Sequence, residues 1–213
     1  MRCSLQSEEG IVLKLKEILK NTEKLPFQNK VCHIAVISNI TLNPYLIPFM
    51  KLSFSGSNVL ADVQIIRLEN YLNESDKIRS SNLLAVILNF EFLHPNWYND
   101  ILSGKVALEQ IRTYAVEQCR DVYCILKENI SCPIVWFGYE NENFQRTSIC
   151  GSVSLGTKII DSINADICSF LGENDSHIDT RHLITKVGIS NAYDNKNKYR
   201  WNAPYSQQMI RAI

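Results

Sequence analysis

The chain has 213 residues, 46% of them hydrophobic, which suffices for one sizeable core and is short for two full domains. Lys plus Arg and Asp plus Glu both number 22, so the formal net charge is zero, and no Lys/Arg run supplies the footprint of a nucleic-acid or anionic-membrane binder. No apolar run approaches the ~18 residues of a membrane span, MRCSLQSEEG lacks a signal-peptide core, and the seven cysteines form no CxxC pair. The expectation is a soluble, cytoplasmic protein with reduced thiols.

In chain order, Ser7 to Leu25 carries Ile11, Val12, Leu15, Ile18 and Leu19 at helical spacing. It predicts an outer helix within an N-terminal extension over residues 1–30. His33 to Thr41, HIAVISNIT, reads as a short buried strand closing in small polar residues, and Pro44 to Phe54 as the helix after it. Leu60 to Leu68 predicts a second strand, followed by a polar segment, ENYLNESDKIRSS, with room for a short helix. Leu83 to Phe90, LLAVILNF, is apolar until Asn89, as a central parallel strand buried on both faces requires.

After HPNWYND, Lys105 to Asn129 predicts a long crossover helix and Cys132 to Gly138 a fourth strand. The polar loop YENENFQRTSICGS leads to a helix over Val153 to Leu171, a short fifth strand at Ser176 to Ile178 and a helix at Thr180 to Val187. Strands alternating with helices pair in parallel through right-handed crossovers. Residues 31–213 are therefore expected to form a three-layer α/β/α sandwich on a five-stranded parallel sheet, in the flavodoxin-like order 2-1-3-4-5.

In open α/β sheets ligands bind beyond the carboxyl ends of the strands, at the switch point, and this order brings Ser38 near Asn89. A hydrolase there needs a nucleophile, a base, a group that orients the base, and oxyanion donors. Ser38 is the candidate nucleophile, Asn89 an oxyanion donor, and Asp179 and His182, in Asp179-Thr180-Arg181-His182, the orienting group and the base. Asn39 and Thr41, in the same turn as Ser38, are candidate substrate-binding residues. Plainer readings stand beside these: Ser38 and Thr41 capping the next helix, Asn89 satisfying a turn, and D-x-x-H arising by chance. His177, Asp179 and His182, with Asp175 nearby, have no strong precedent as a zinc motif, so neither metal nor cofactor is expected. Trp97, Trp136 and Trp201 read as packing.

A serine after strand one, an asparagine after strand three and a terminal D-x-x-H resemble the SGNH/GDSL hydrolase superfamily. Here SNIT stands for GDS, LNFE stands for GxND, and the second-block glycine has no clear counterpart. IAVISNIT with its following helix, LLAVILNFEFL, and the tail IDTRHLITKVGISNAYDNKNKYRWNAPYSQQMIRAI resemble the N-terminal SGNH-like domain of FkbH-like proteins, from about His33 onward. That resemblance implies support of glyceryl or acyl transfer to an acyl carrier protein in polyketide or related biosynthesis. It further implies an acyl carrier protein or a separate HAD-type protein as partner, since the HAD-type domain that usually follows, with its D-x-D-x-T-like strand end, is expected to be absent. If YRWNAPYS takes the place of the superfamily's last block, His182 is an ordinary helix residue. Two functions follow: a non-catalytic module of that transfer system or, as the alternative, an active serine esterase or acyltransferase on a small acyl substrate.

Overall fold

Val, Ile, Leu and Ala fill five segments whose branched or small side chains suit a pleated sheet covered on both faces. The computed structural model describes residues 31–140 and 155–213. The expected helix at Ser7 to Leu25, the extension over 1–30 and most of the polar loop after the fourth strand lie outside the described residues. The strands are β1 (Val31–Ser38), β2 (Leu60–Arg67), β3 (Leu83–Ile87), β4 (Ile134–Phe137) and β5 (Ser176–Ile178). All four pairings are parallel and the order is β2-β1-β3-β4-β5, as the sequence predicts.

The α-helices are α1 (Leu46–Ser55), α2 (Ser75–Arg79), α3 (Phe90–Leu93), α4 (Trp97–Leu102), α5 (Leu108–Asn129), α6 (Leu155–Phe170), α7 (Thr180–Val187), α8 (Ile189–Ala192), α9 (Asn195–Trp201) and α10 (Gln207–Ala212). Alternation along β1 builds two cores. Ala35 and Ile37 meet Ile111, Ala115 and Cys119 of α5 and Ile159, Ile163 and Ile167 of α6. Ile34 and Val36 meet Leu46 of α1, Ile184 of α7, and Met209 and Ile210 of α10 on the other side. The result is a three-layer sandwich. No helix among the described residues is long and apolar enough to cross a membrane.

Two of the departures from the sequence reading have clear local reasons. Phe90, expected in the third strand, begins α3, because the Asn39 side chain takes the Asn89 backbone groups and ends the ladder after Ile87. The linker HPNWYND contains α4, entered through Asn96 in the left-handed region (φ 67°), which asparagine tolerates. At the opposite, amino-terminal end of the sheet, the carboxylate of Asp175 ties β4 to α5. It accepts from the Ile134 N–H (2.8 Å), the Lys127 ammonium (2.7 Å) and the Tyr123 hydroxyl (2.7 Å).

Register places Ser38 beside Ile87, Ile87 beside Phe137 and Phe137 beside Ile178, so the four strands end in line. The chain therefore delivers Asn39, Asn89, Glu140 and Asp179 to one rim. Gly138 leaves β4 against His177: a Cβ there would stand 2.6 Å from the His177 Nε2 and 3.1 Å from the Asn164 Oδ1. Gly138→Ala should cost about 1–3 kcal/mol through overpacking, read as a lower denaturant midpoint at unchanged slope.

Candidate functional site

The site begins with the turn after β1. Ser38 is 1% exposed, and its Oγ accepts the Ile40 N–H at 3.2 Å, closing a local side-chain turn. The next residue reaches across to β3. Asn39 donates from Nδ2 to the Asn89 carbonyl (2.9 Å) and accepts the Asn89 N–H at Oδ1 (2.8 Å), so one side chain satisfies both backbone groups where the ladder stops. The first and third strand ends are thus locked together.

Asn89 turns its own side chain toward β4. Its Nδ2 donates to Glu140 Oε1 at 3.1 Å, and the Tyr205 hydroxyl donates to the same oxygen at 2.9 Å. Asn89, Glu140 and Tyr205 are all buried. Asn164 of α6 repeats the device seen at Asn39: it accepts the Tyr139 N–H (2.7 Å) and donates to the Tyr139 carbonyl (2.8 Å), fixing the backbone beside Glu140. A buried polar network of this kind is stable only when its members are satisfied, which explains the two asparagine clamps around it.

The segment from Tyr193 to Tyr205 closes over this rim. Its ends pair in an antiparallel bridge between Tyr193 and Tyr205. Between them, the Asn202 carbonyl accepts the Thr41 N–H (2.8 Å), and Lys198 of α9 pairs with Glu91 of α3 (2.6 Å). The Thr41 hydroxyl accepts from Arg67 at 3.2 Å. Thr41 and Ser38 therefore do not cap α1. The bond at its entrance is made by Asn43, whose Oδ1 accepts the Tyr45 N–H (3.0 Å).

Of the sequence candidates, Ser38, Asn39, Thr41 and Asn89 come together, and the D-x-x-H pair is placed differently. Asp179 caps α7 by accepting the Arg181 N–H (3.0 Å) and binds the Arg181 guanidinium (3.1 Å), which also reaches Asp161 of α6. Burial would raise the Asp179 carboxyl, but the Arg181 contacts outweigh it and hold the group below the usual range. His182 is exposed; its backbone N–H meets the Asp179 carbonyl, and no hydrogen bond joins it to Ser38 among the described residues. Burial keeps His177 below the ordinary histidine value, and Asp175 is taken up at the other end of the sheet. Among the described residues no three His, Cys, Asp or Glu side chains gather to hold a metal.

Cys119 supplies no alternative nucleophile: burial pushes its thiol up to about 11, against the lowering effect of its bond to Tyr139, so it is protonated at neutral pH. Glu140 and Tyr205 were not singled out from sequence. Glu140 carries the same signal as Asn89, a polar residue just past an apolar strand, whereas Tyr205 meets Glu140 only through the tertiary fold.

No protein-family model matches the sequence, and no curated protein does. The fold is similar to a solved structure described as the N-terminal part of the protein BF1531 from Bacteroides fragilis, containing a phosphatase domain and complexed with Mg. The TM-score is 0.62 at 9% identity, over 92% of this chain and 53% of that one. The likeness is one of fold, and this chain spans about half the length of that structure.

Proposed function

We propose that this chain is an FkbH-related, SGNH-like module that supports glyceryl or acyl transfer on an acyl carrier protein without acting as a serine hydrolase. The observation that carries the reading is the Asn39–Asn89–Glu140–Tyr205 network. It engages the asparagine amide that would face an oxyanion, which donates to Glu140, and beside it the Ser38 oxygen accepts the Ile40 N–H in a local turn. The Asp179 carboxylate that would orient a base is bound to Arg181. Fold likeness to a phosphatase-containing protein and the SNIT, LNFEFL and YRWNAPYS stretches favour the FkbH relation.

In this reading the strand-end rim recognises a carrier-bound acyl or glyceryl unit, and the chemistry is completed by an HAD-type phosphatase unit. Calorimetric titration with a phosphopantetheinylated acyl carrier protein, and separately with an HAD-type phosphatase domain, tests it. Saturable binding of at least one is expected, together with no turnover of small acyl esters. Binding of neither, with ester turnover that Ser38→Ala removes, would replace this reading with the esterase or acyltransferase alternative.

A further inference from the structure

Between α1, α8 and α10 lies a cleft of about 730 Å³, within the size range of small-molecule sites. Six carboxamides line it: Asn43, Asn191, Asn195, Asn197, Gln207 and Gln208. Some are used by the fold. Asn43 holds the entrance of α1, and the Asn197 Nδ2 donates to Asp194 at 2.7 Å. The side chains of Asn195, Gln207 and Gln208 have no partner among the described residues, and each offers a donor and an acceptor side by side.

The charge of the lining narrows the ligand. Among the described residues the charged side chains there are Asp194 and Arg211. Asp194 is consumed as the cap of α9, accepting the Asn197 N–H and its amide. One exposed cation is a poor match for a multiply charged phosphate, and a wall of amides is a poor match for an apolar ligand. A hydroxyl both donates and accepts, so neighbouring hydroxyls suit adjacent carboxamides. Tyr45 and Phe49, ring centroids 6.4 Å apart and tilted by 43°, add an apolar strip for the C–H face of a ring.

The walls are held before any ligand arrives. The Tyr193–Tyr205 bridge, the Asp194 N–H to Pro204 carbonyl bond (2.8 Å) and the Ser206 N–H to Ala192 carbonyl bond (2.9 Å) fix the segment carrying Asn195 against the start of α10. Such a site loses little loop freedom on binding. We propose that this cleft binds a monosaccharide-sized polyol, with Asn195, Gln207 and Gln208 as its hydroxyl partners and Arg211 accommodating an acidic substituent.

The test is saturation-transfer NMR on the full chain with glucose, N-acetylglucosamine and glucuronate. Transfer to ring protons of these sugars is expected. The Asn195→Ala/Gln207→Ala double variant, folded by circular dichroism and melting temperature, should weaken binding by about tenfold or more. Arg211→Ala should weaken glucuronate alone. Transfer to none of the three sugars, or transfer unchanged in the folded double variant, overturns the proposal. The carrier-protein titration is read separately, so the failure of one site leaves the other standing.

Discussion

Asp175→Ala is expected to lower stability by about 2–4 kcal/mol, measured by denaturant unfolding, because it removes a buried carboxylate that three donors share, one of them the part-exposed Lys127 ammonium. The Asp175 side chain is 1% exposed, and its removal leaves the Lys127 ammonium, the Ile134 N–H and the Tyr123 hydroxyl without their acceptor. The carboxyl is also a pH sensor of the fold. Burial acts to raise its pKa, yet the hydrogen bonds from Lys127, Ile134 and Tyr123 together hold it below the ordinary value. An unfolded aspartate takes up a proton near ~3.9, while the folded one resists until a lower pH. The stabilisation is therefore complete above the ordinary carboxylate range and is lost as pH falls through it toward the lowered folded value. The wild type should lose stability more steeply on acidification than Asp175→Ala.

Glu140→Ala should cost about 2–4 kcal/mol, since the amide of Asn89 and the hydroxyl of Tyr205 each lose a buried acceptor. Glu140→Gln separates the network from mere size. Its carbonyl oxygen can accept both donors, so it should retain most of the stability that the alanine variant loses. A glutamine variant as unstable as the alanine one would show that the hydrogen bonds to Oε1 are not what holds the rim. Tyr205→Phe, which removes a single donor, is expected to have a smaller effect than Glu140→Ala.

The sheet was legible because its central strands are buried on both faces. LLAVILNF and HIAVIS are continuous apolar runs bounded by polar turns, and no helix period competes with them. The same continuity misplaced Phe90, whose apolar side chain extends the pattern although Asn39 ends the ladder before it. At the rim, Ser38 and Asn89 stand out by their position at or just past a strand's end, and Glu140 obeys that rule from within a segment that reads as polar loop. Tyr205 is 65 residues from Glu140 in the chain, and no local pattern pairs them. Asp179-Thr180-Arg181-His182 drew attention to its histidine, whereas the fold uses the aspartate and arginine to start α7 and fasten it to Asp161.

The central claim, that Ser38 is a structural hydroxyl of the rim rather than a nucleophile, is tested most directly by intact-mass measurement after exposure of the folded protein to a fluorophosphonate probe. An activated serine needs a base to take its proton, and the Ser38 oxygen is buried and bonded to the Ile40 N–H. The account predicts no adduct on the wild type under conditions that label an active serine hydrolase to completion. A stoichiometric adduct on Ser38, absent from both Ser38→Ala and His182→Ala, would contradict it.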